Sequence, residues 1–262
     1  MVVDQLQRRI KGIGSFYFKS QETGEDIFNS LGGRLVWNSV WHLSHRLLAH
    51  RYVTPVEHFQ AVDPQYIAYD AVHTYFSIRH GAGHVVSGDW DLDSNRVPLD
   101  VNPFEQSDYE YESYGNVEVI YGLKERFVDG KDWEATDLYE HSMRRLEQGH
   151  HLWGFGASTA EEFETYCEKI DSLYRTIQRR GYKSQQELPN GRIGDEVSVL
   201  IGRDGEYFFN NGIHRLAIAR VLGLDSIPVV VTARHQSWAA FRQQVANQRD
   251  DSYPDHPDLT VL

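Results

Sequence analysis

Between residues 195 and 235 the spacing of apolar and polar positions changes character twice. Val197, Val199 and Ile201 fall on alternate positions, which predicts a strand. Arg203-Asp204-Gly205 predicts a hairpin turn, because Asp-Gly tolerates positive φ at low cost. Tyr207, Phe208 and Phe209 then form an aromatic, β-prone return strand that Asn210-Asn211-Gly212 stops. From Ile213 to Leu222 the period becomes helical. Ile213, Leu216, Ala217, Val221 and Leu222 fit one face, and Gly223 is the left-handed residue expected just past the end. The β-branched run Ile227 to Val231 predicts a buried strand.

The same reading extends outward. Ser158 to Gly181 predicts the longest helix, with Ser158 and Glu161 spaced as a capping box. Its apolar face holds Phe163, Tyr166, Cys167, Ile170, Leu173, Tyr174 and Ile177. Trp133 to Gln148 predicts an amphipathic helix ended by Gly149. Val85-Val86 and Val117 to Ile120 read as short strands. Residues 96–114 read as an acidic surface loop, and Lys124 and Arg126 as possible phosphate contacts on a solvated helix. His150 to Gly156 is a glycine-aromatic loop with the reach to cover a ligand. Ser237 to Gln248 predicts a helix followed by an acidic, proline-containing tail. The first 60 residues read as short helices, among them Trp37 to Arg51, which Pro55 follows as a breaker. With no internal repeat and no long linker, the expected fold is one α/β (α+β) domain over residues 61–262. Its mixed sheet lies in the second half, and residues 1–60 form a helical extension.

Composition narrows the function classes. The 262 residues are 40% hydrophobic and 13% aromatic, as expected of a folded globular chain. The net charge of −12 argues against unspecific nucleic-acid binding, which needs a basic surface. That charge is uneven: seven Lys/Arg face four Asp/Glu up to Arg51, whereas 19 face 34 beyond it. The basic N-terminal helices therefore offer a docking face for a protein partner or a membrane surface. His42 and His45 have ligand-like spacing but no carboxylate or thiolate close by in sequence. A single cysteine, no apolar leader and no run of about 18 apolar residues lead to the expectation of a cytoplasmic protein without a transmembrane segment.

Two stretches carry chemistry. The first is Asn211-Gly212-Ile213-His214-Arg215, which sets a glycine and two basic side chains at the start of a helix. Free N–H groups and the helix dipole favour an anion there, and Arg215 offers a planar fork for phosphate oxygens. The alternative is that Gly212 is only a turn, His214 packs and Arg215 pairs with a carboxylate of the chain. The second stretch is Gly88-Asp89-Trp90-Asp91-Leu92-Asp93. Its aspartates fall on alternate positions and need a cation between them, Mg²⁺ or Ca²⁺ or an arginine. An EF-hand fits poorly, since Ser94 stands where glycine is required. The alternative is a solvated acidic turn with Trp90 in the core.

The ordered set Gly212, His214, Arg215, Ala217, Gly223-Leu224 and Ile227-Pro228-Val229 resembles the ParB/sulfiredoxin superfamily. The likeness spans roughly residues 159–235, and Val62-Asp63-Pro64 fits a segment that often opens its members. Sulfiredoxins place a cysteine where this chain has Ile213. Partition proteins have Glu-Arg-Arg at the turn and a following DNA-binding domain that has no counterpart here. The resemblance therefore implies the kinase-type branch: an ATP- or ADP-dependent phosphotransferase (CTP is the other nucleotide used in the family) acting on a small-molecule acceptor. Asn211, Gly212, Ile213, His214 and Arg215 would hold the nucleotide phosphates, with His214 also catalytic. Asp89 and Asp91 would bind Mg²⁺ or take the acceptor proton. Two other classes stand beside it: a non-catalytic nucleotide-responsive adaptor and a metal-dependent nuclease.

Overall fold

The structure, a computed structural model, describes residues 59–70, 84–92, 96–97, 102–105, 111–152, 154–248 and 256–260. All of these belong to the compact unit Thr54–Leu262. The readings of the N-terminal helices, of His42 and His45, of Asp93 and of most of the C-terminal tail lie outside the described residues.

The fold is mixed α/β. Seven strands are present among the described residues: β1 (Phe59–Val62), β2 (Ile67–Asp70), β3 (His84–Val86), β4 (Arg96–Val97), β5 (Ser198–Ile201), β6 (Tyr207–Asn211) and β7 (Ile227–His235). Six α-helices accompany them: α1 (Tyr111–Phe127), α2 (Asp137–Glu147), α3 (Ala160–Arg180), α4 (Ile213–Val221), α5 (Gln236–Gln248) and α6 (Pro257–Thr260). The sheet runs β1-β7-β5-β6-β2-β4, with β3 also on β7. β7 is long enough to take two partners on one edge. β1 pairs antiparallel with its first half and β3 parallel with its last three residues. β5 lies parallel on its other edge and turns back antiparallel as β6.

Both faces of this sheet are covered, so all four residues of β5 are buried. Val199 and Ile201 enter the main core with Tyr207, Phe209, Leu216 and Ile218. Leu200 turns to a smaller cluster with Trp90, Phe208 and Ala233. A bulge in β7 sets which residues reach which face. Val199 pairs with Val231 but Leu200 pairs with Ala233, leaving Thr232 as the extra residue. Its Oγ1 donates to the Val199 carbonyl at 3.1 Å. Past the bulge the alternation is reversed, so Ala233 joins the smaller cluster and Arg234 reaches Asp258 and the main-core side.

The hairpin, the Gly212 turn, α4 and β7 lie where the residue pattern puts them. Elsewhere the structure differs. Residues 111–127 are helix, not loop and strand. Val117, Ile120 and Leu123 lie on one face at helical spacing and are buried with Val119. Gly122 lets α2 approach closely, for a Cβ there would meet Leu138 Cδ2 at 2.4 Å. Arg126 is not a phosphate contact, because it hydrogen-bonds Asp171 of α3 and the Lys131 carbonyl. The cap of α3 is Thr159 rather than Ser158: the Thr159 hydroxyl accepts from Glu162 N–H, and Glu162 accepts from Ser158 N–H. Cys167 is buried in that helix, and burial pushes its thiol up to about 12, which makes it an inert core residue.

The acidic tail is also built in. Asp258 of α6 is fully buried and accepts from the Arg234 guanidinium, Gln60 Nε2 at 2.6 Å and Trp238 Nε1 at 2.8 Å. Burial alone would raise its pKa; the hydrogen bonds and charge of Arg234, with Trp238 and Arg242, hold it below the usual range.

Candidate functional site

The β5–β6 hairpin presents its two ends to different chemistry. Gly212 closes β6 and opens α4 with φ +89°, a left-handed conformation that costs an L side chain energy. A Cβ at this position would meet the Glu196 carbonyl oxygen and Val197 Cα at 2.8 Å. Glycine is therefore required twice, for the turn and for the close passage of β5. Asn211 fixes the approach by donating from Nδ2 to the Gly194 carbonyl at 2.9 Å. No side chain caps α4. Its first internal bond runs from Leu216 N–H to the Gly212 carbonyl. The N–H groups of Ile213, His214 and Arg215 precede that bond and are the donors a helix start leaves open.

The two basic side chains behave differently from each other. His214 is not a cation near neutral pH. Burial pushes its pKa down to about 4, its ring lies edge-on to Tyr166, and its Nε2 is buried without a hydrogen-bond partner. Arg215 is buried and charged. Its Nε donates to Tyr182 Oη at 3.1 Å, its Nη2 donates to the Lys183 carbonyl, and its guanidinium lies 4.4 Å from the Tyr182 ring centre. Among the described residues it makes no ion pair. Ile213 packs into the main core.

The sequence reading did not single out Glu196, which stands beside this turn. It is wholly buried and lies two residues before β5. Its Oε1 accepts from Gln185 N–H, while Oε2 is buried with no partner. Burial raises its pKa to about 7, against the lowering effects of the Gln185 N–H and of Arg215. Tyr182 also went unnoticed; burial pushes its phenol up to about 12. The one signal available for Glu196 was its place, a carboxylate at the mouth of an apolar strand.

Asp89 and Asp91 lie at the hairpin's other end. β6 spans five residues, so roughly 17 Å of strand separates its turn from Gly212. Asp91 is buried and accepts from Arg203 through Nε at 2.9 Å, through Nη2 at 2.8 Å and through the backbone N–H. Burial would raise its pKa, but these bonds from Arg203 bring it below the usual value. Asp89 is exposed and accepts from Arg203 Nη2 at 2.9 Å. The cation the aspartates need is therefore an arginine of the chain. Among the described residues no three His, Cys, Asp or Glu side chains gather to hold a metal ion, and Arg203 occupies Asp89 and Asp91. The loop at residues 150–156 reaches toward the turn through Phe155, whose ring meets Tyr166 at 4.9 Å.

No family model, curated protein or solved structure matches the chain. Among the described residues no helix is long and apolar enough to cross a membrane.

Proposed function

We propose that this chain binds the terminal phosphates of a nucleotide, ATP or ADP, at the Gly212 turn and passes a phosphoryl group to a small-molecule acceptor. The observation that carries the reading is the uncapped first turn of α4. Its open N–H groups follow a left-handed glycine that brings β5 close to the helix start, beside the buried guanidinium of Arg215. The ParB/sulfiredoxin resemblance supports a nucleotide as the source of that phosphate. Phosphoryl transfer asks little of the protein beyond positioning and charge neutralisation, so this small set suffices. In this arrangement the N–H groups of Ile213, His214 and Arg215 hold phosphate oxygens. The acceptor proton goes to Glu196 in this arrangement: it lies buried next to the turn with one carboxylate oxygen unpaired and a pKa raised by burial, whereas Asp89 and Asp91 are occupied by Arg203.

One observation favours the adaptor reading. Arg215 ties α4 to the segment after α3 through Tyr182 and the Lys183 carbonyl. An anion that drew Arg215 away would release that segment to a partner without any turnover.

Thermal melting with ATP, ADP, CTP and inorganic phosphate, each with and without Mg²⁺, tests the proposal. A nucleotide at a hundredfold its Kd stabilises by about 2.7 kcal/mol, a rise of several degrees for a chain of this size. Arg215→Lys keeps the charge but loses the fork, and is expected to reduce the rise. It is preferable to Arg215→Ala, which empties a buried position. A flat response to every nucleotide overturns the proposal. Binding without formation of a phosphorylated product assigns the adaptor role instead.

A further inference from the structure

We infer that Ser158 and His151 form a nucleophilic dyad that attacks uncharged carboxylic esters. The inference is independent of the phosphate reading of the Gly212 turn. Leu152 and Ala157 pair as an antiparallel bridge, with Leu152 N–H donating to the Ala157 carbonyl at 2.8 Å, and both residues are fully buried. His151 and Ser158 flank that bridge. By the alternation of extended backbone they face each other on the side away from the core. His151 Nδ1 and Ser158 Oγ stand 2.6 Å apart. Ser158 is held from its backbone as well, its N–H donating to Glu162 Oε2 at 2.6 Å. With the ring proton on Nε2, Nδ1 accepts from the hydroxyl, which pairs a base with the nucleophile it activates. Ser158 is exposed, so a substrate reaches it without any opening of the fold. The N–H groups of Ala160 and Glu161 precede the first internal bond of α3, from Phe163 N–H to the Thr159 carbonyl. They are the open donors nearest in the chain to a negative oxygen formed at Ser158. Glu161 and Glu162 in the same turn repel an anionic substrate and so favour an uncharged acyl group. In the reaction, Ser158 Oγ bonds to the ester carbonyl carbon as its proton passes to His151 Nδ1. The bond from that carbon to the alcohol oxygen then breaks, and the alcohol leaves with the proton from Nδ1. Water attacks the acyl-serine in the same way, releases the carboxylic acid and restores the hydroxyl.

Treatment of the full chain with a fluorophosphonate, which phosphonylates an activated serine with loss of fluoride, tests this together with turnover of p-nitrophenyl acetate. Peptide mass analysis is expected to find the adduct on Ser158 in the folded wild type and not in the urea-unfolded chain. Ser158→Ala is expected to abolish the adduct and the release of p-nitrophenol. His151→Gln keeps a hydrogen-bonding side chain but cannot take the proton, and is expected to slow both reactions by about a hundredfold or more. The comparison of folded with unfolded wild type stands by itself if a variant does not fold. No adduct on Ser158 in the folded wild type, or equal labelling of folded and unfolded chain, overturns the inference. An unchanged rate in His151→Gln also overturns it, and the pair is then only a staple of the loop. None of these outcomes bears on nucleotide binding at the Gly212 turn.

Discussion

The two ends of the β5–β6 hairpin carry the same ingredients, an arginine and nearby carboxylates, and use them in opposite ways. At the turn, Arg203 is spent on its neighbours: its side chain and backbone reach Asp91, Asp89 and the Gly88 carbonyl, and Asp91 is fully engaged. At the helix end, Glu196 Oε2 and His214 Nε2 are buried without partners, and Arg215 stands near Glu196 with no ion pair between them. Buried polar groups are normally satisfied, because an orphan costs about 1–3 kcal/mol. At the turn both carboxylates are engaged by Arg203, and the buried group left over is the indole Trp90 Nε1. At the helix end the orphans are a carboxylate oxygen and an imidazole nitrogen, ionisable groups whose cost is expected where something else binds.

The contrast predicts unequal losses. Asp91→Ala is expected to cost the most, about 3 kcal/mol, because it removes a buried acceptor from three donors of one residue. Chemical denaturation reads this directly, and nucleotide or phosphate binding by the surviving folded protein is expected to be unchanged. A loss of binding with little loss of stability would reverse the assignment of the two ends.

How far the sequence led follows from the range of the interactions involved. The hairpin, the Gly212 turn and α4 were legible because their signals are local: alternation, Asp-Gly, and a change to helical period. α1 was misread because Val117, Val119 and Ile120 are β-branched and adjacent. Burial against α2 and α4 outweighed that propensity. The candidate site was half legible. Gly212 and Arg215 announce a turn and a cation. Nothing in their vicinity says that Tyr182 will take the guanidinium or that Glu196 will lie buried beside it. The Asp89 and Asp91 pattern asks for a cation without naming it, and Arg203, which pairs with both, is more than a hundred positions further along. Asp258 is the extreme case, since its partner Gln60 lies 198 positions away.

A smaller effect separates the two orphans at the helix end by their dependence on pH. Glu196 has a folded pKa of about 7, above its ordinary value of 4.5, so the folded state holds the extra proton between those limits. Its contribution to stability is present below about pH 4.5 and is lost as pH rises toward 7. His214 has the opposite sign. Its folded pKa of about 4 lies below 6.5, so stability rises as pH climbs from 4 to 6.5. Glu118 on α1, raised by burial to about 8, adds a fall of the first kind to both wild type and variants. The difference between Glu196→Gln and wild type therefore isolates Glu196. The variant is expected to gain on the order of 1–2 kcal/mol relative to wild type between pH 5 and 8. Melting curves across that range check it, and a constant difference at all pH values would mean that Glu196 is ionised throughout.

The smallest effect sharpens the comparison within the turn itself. Asp89 and Asp91 are equivalent in the sequence pattern, and both accept from Arg203 Nη2 at nearly the same distance. They differ in surroundings, since the Asp89 side chain is 76% exposed and that of Asp91 is 1% exposed. An exposed ion pair gives back in desolvation and side-chain ordering most of what it gains, so Asp89→Asn is expected to change stability by no more than about 0.5 kcal/mol. The test is a denaturation midpoint at low and at high salt. A near-zero change at both would show that burial, and not the presence of the pair, decides which carboxylate holds the hairpin. A loss as large as that of Asp91→Ala would mean that Arg203 needs both acceptors, and the turn would then be a two-carboxylate device.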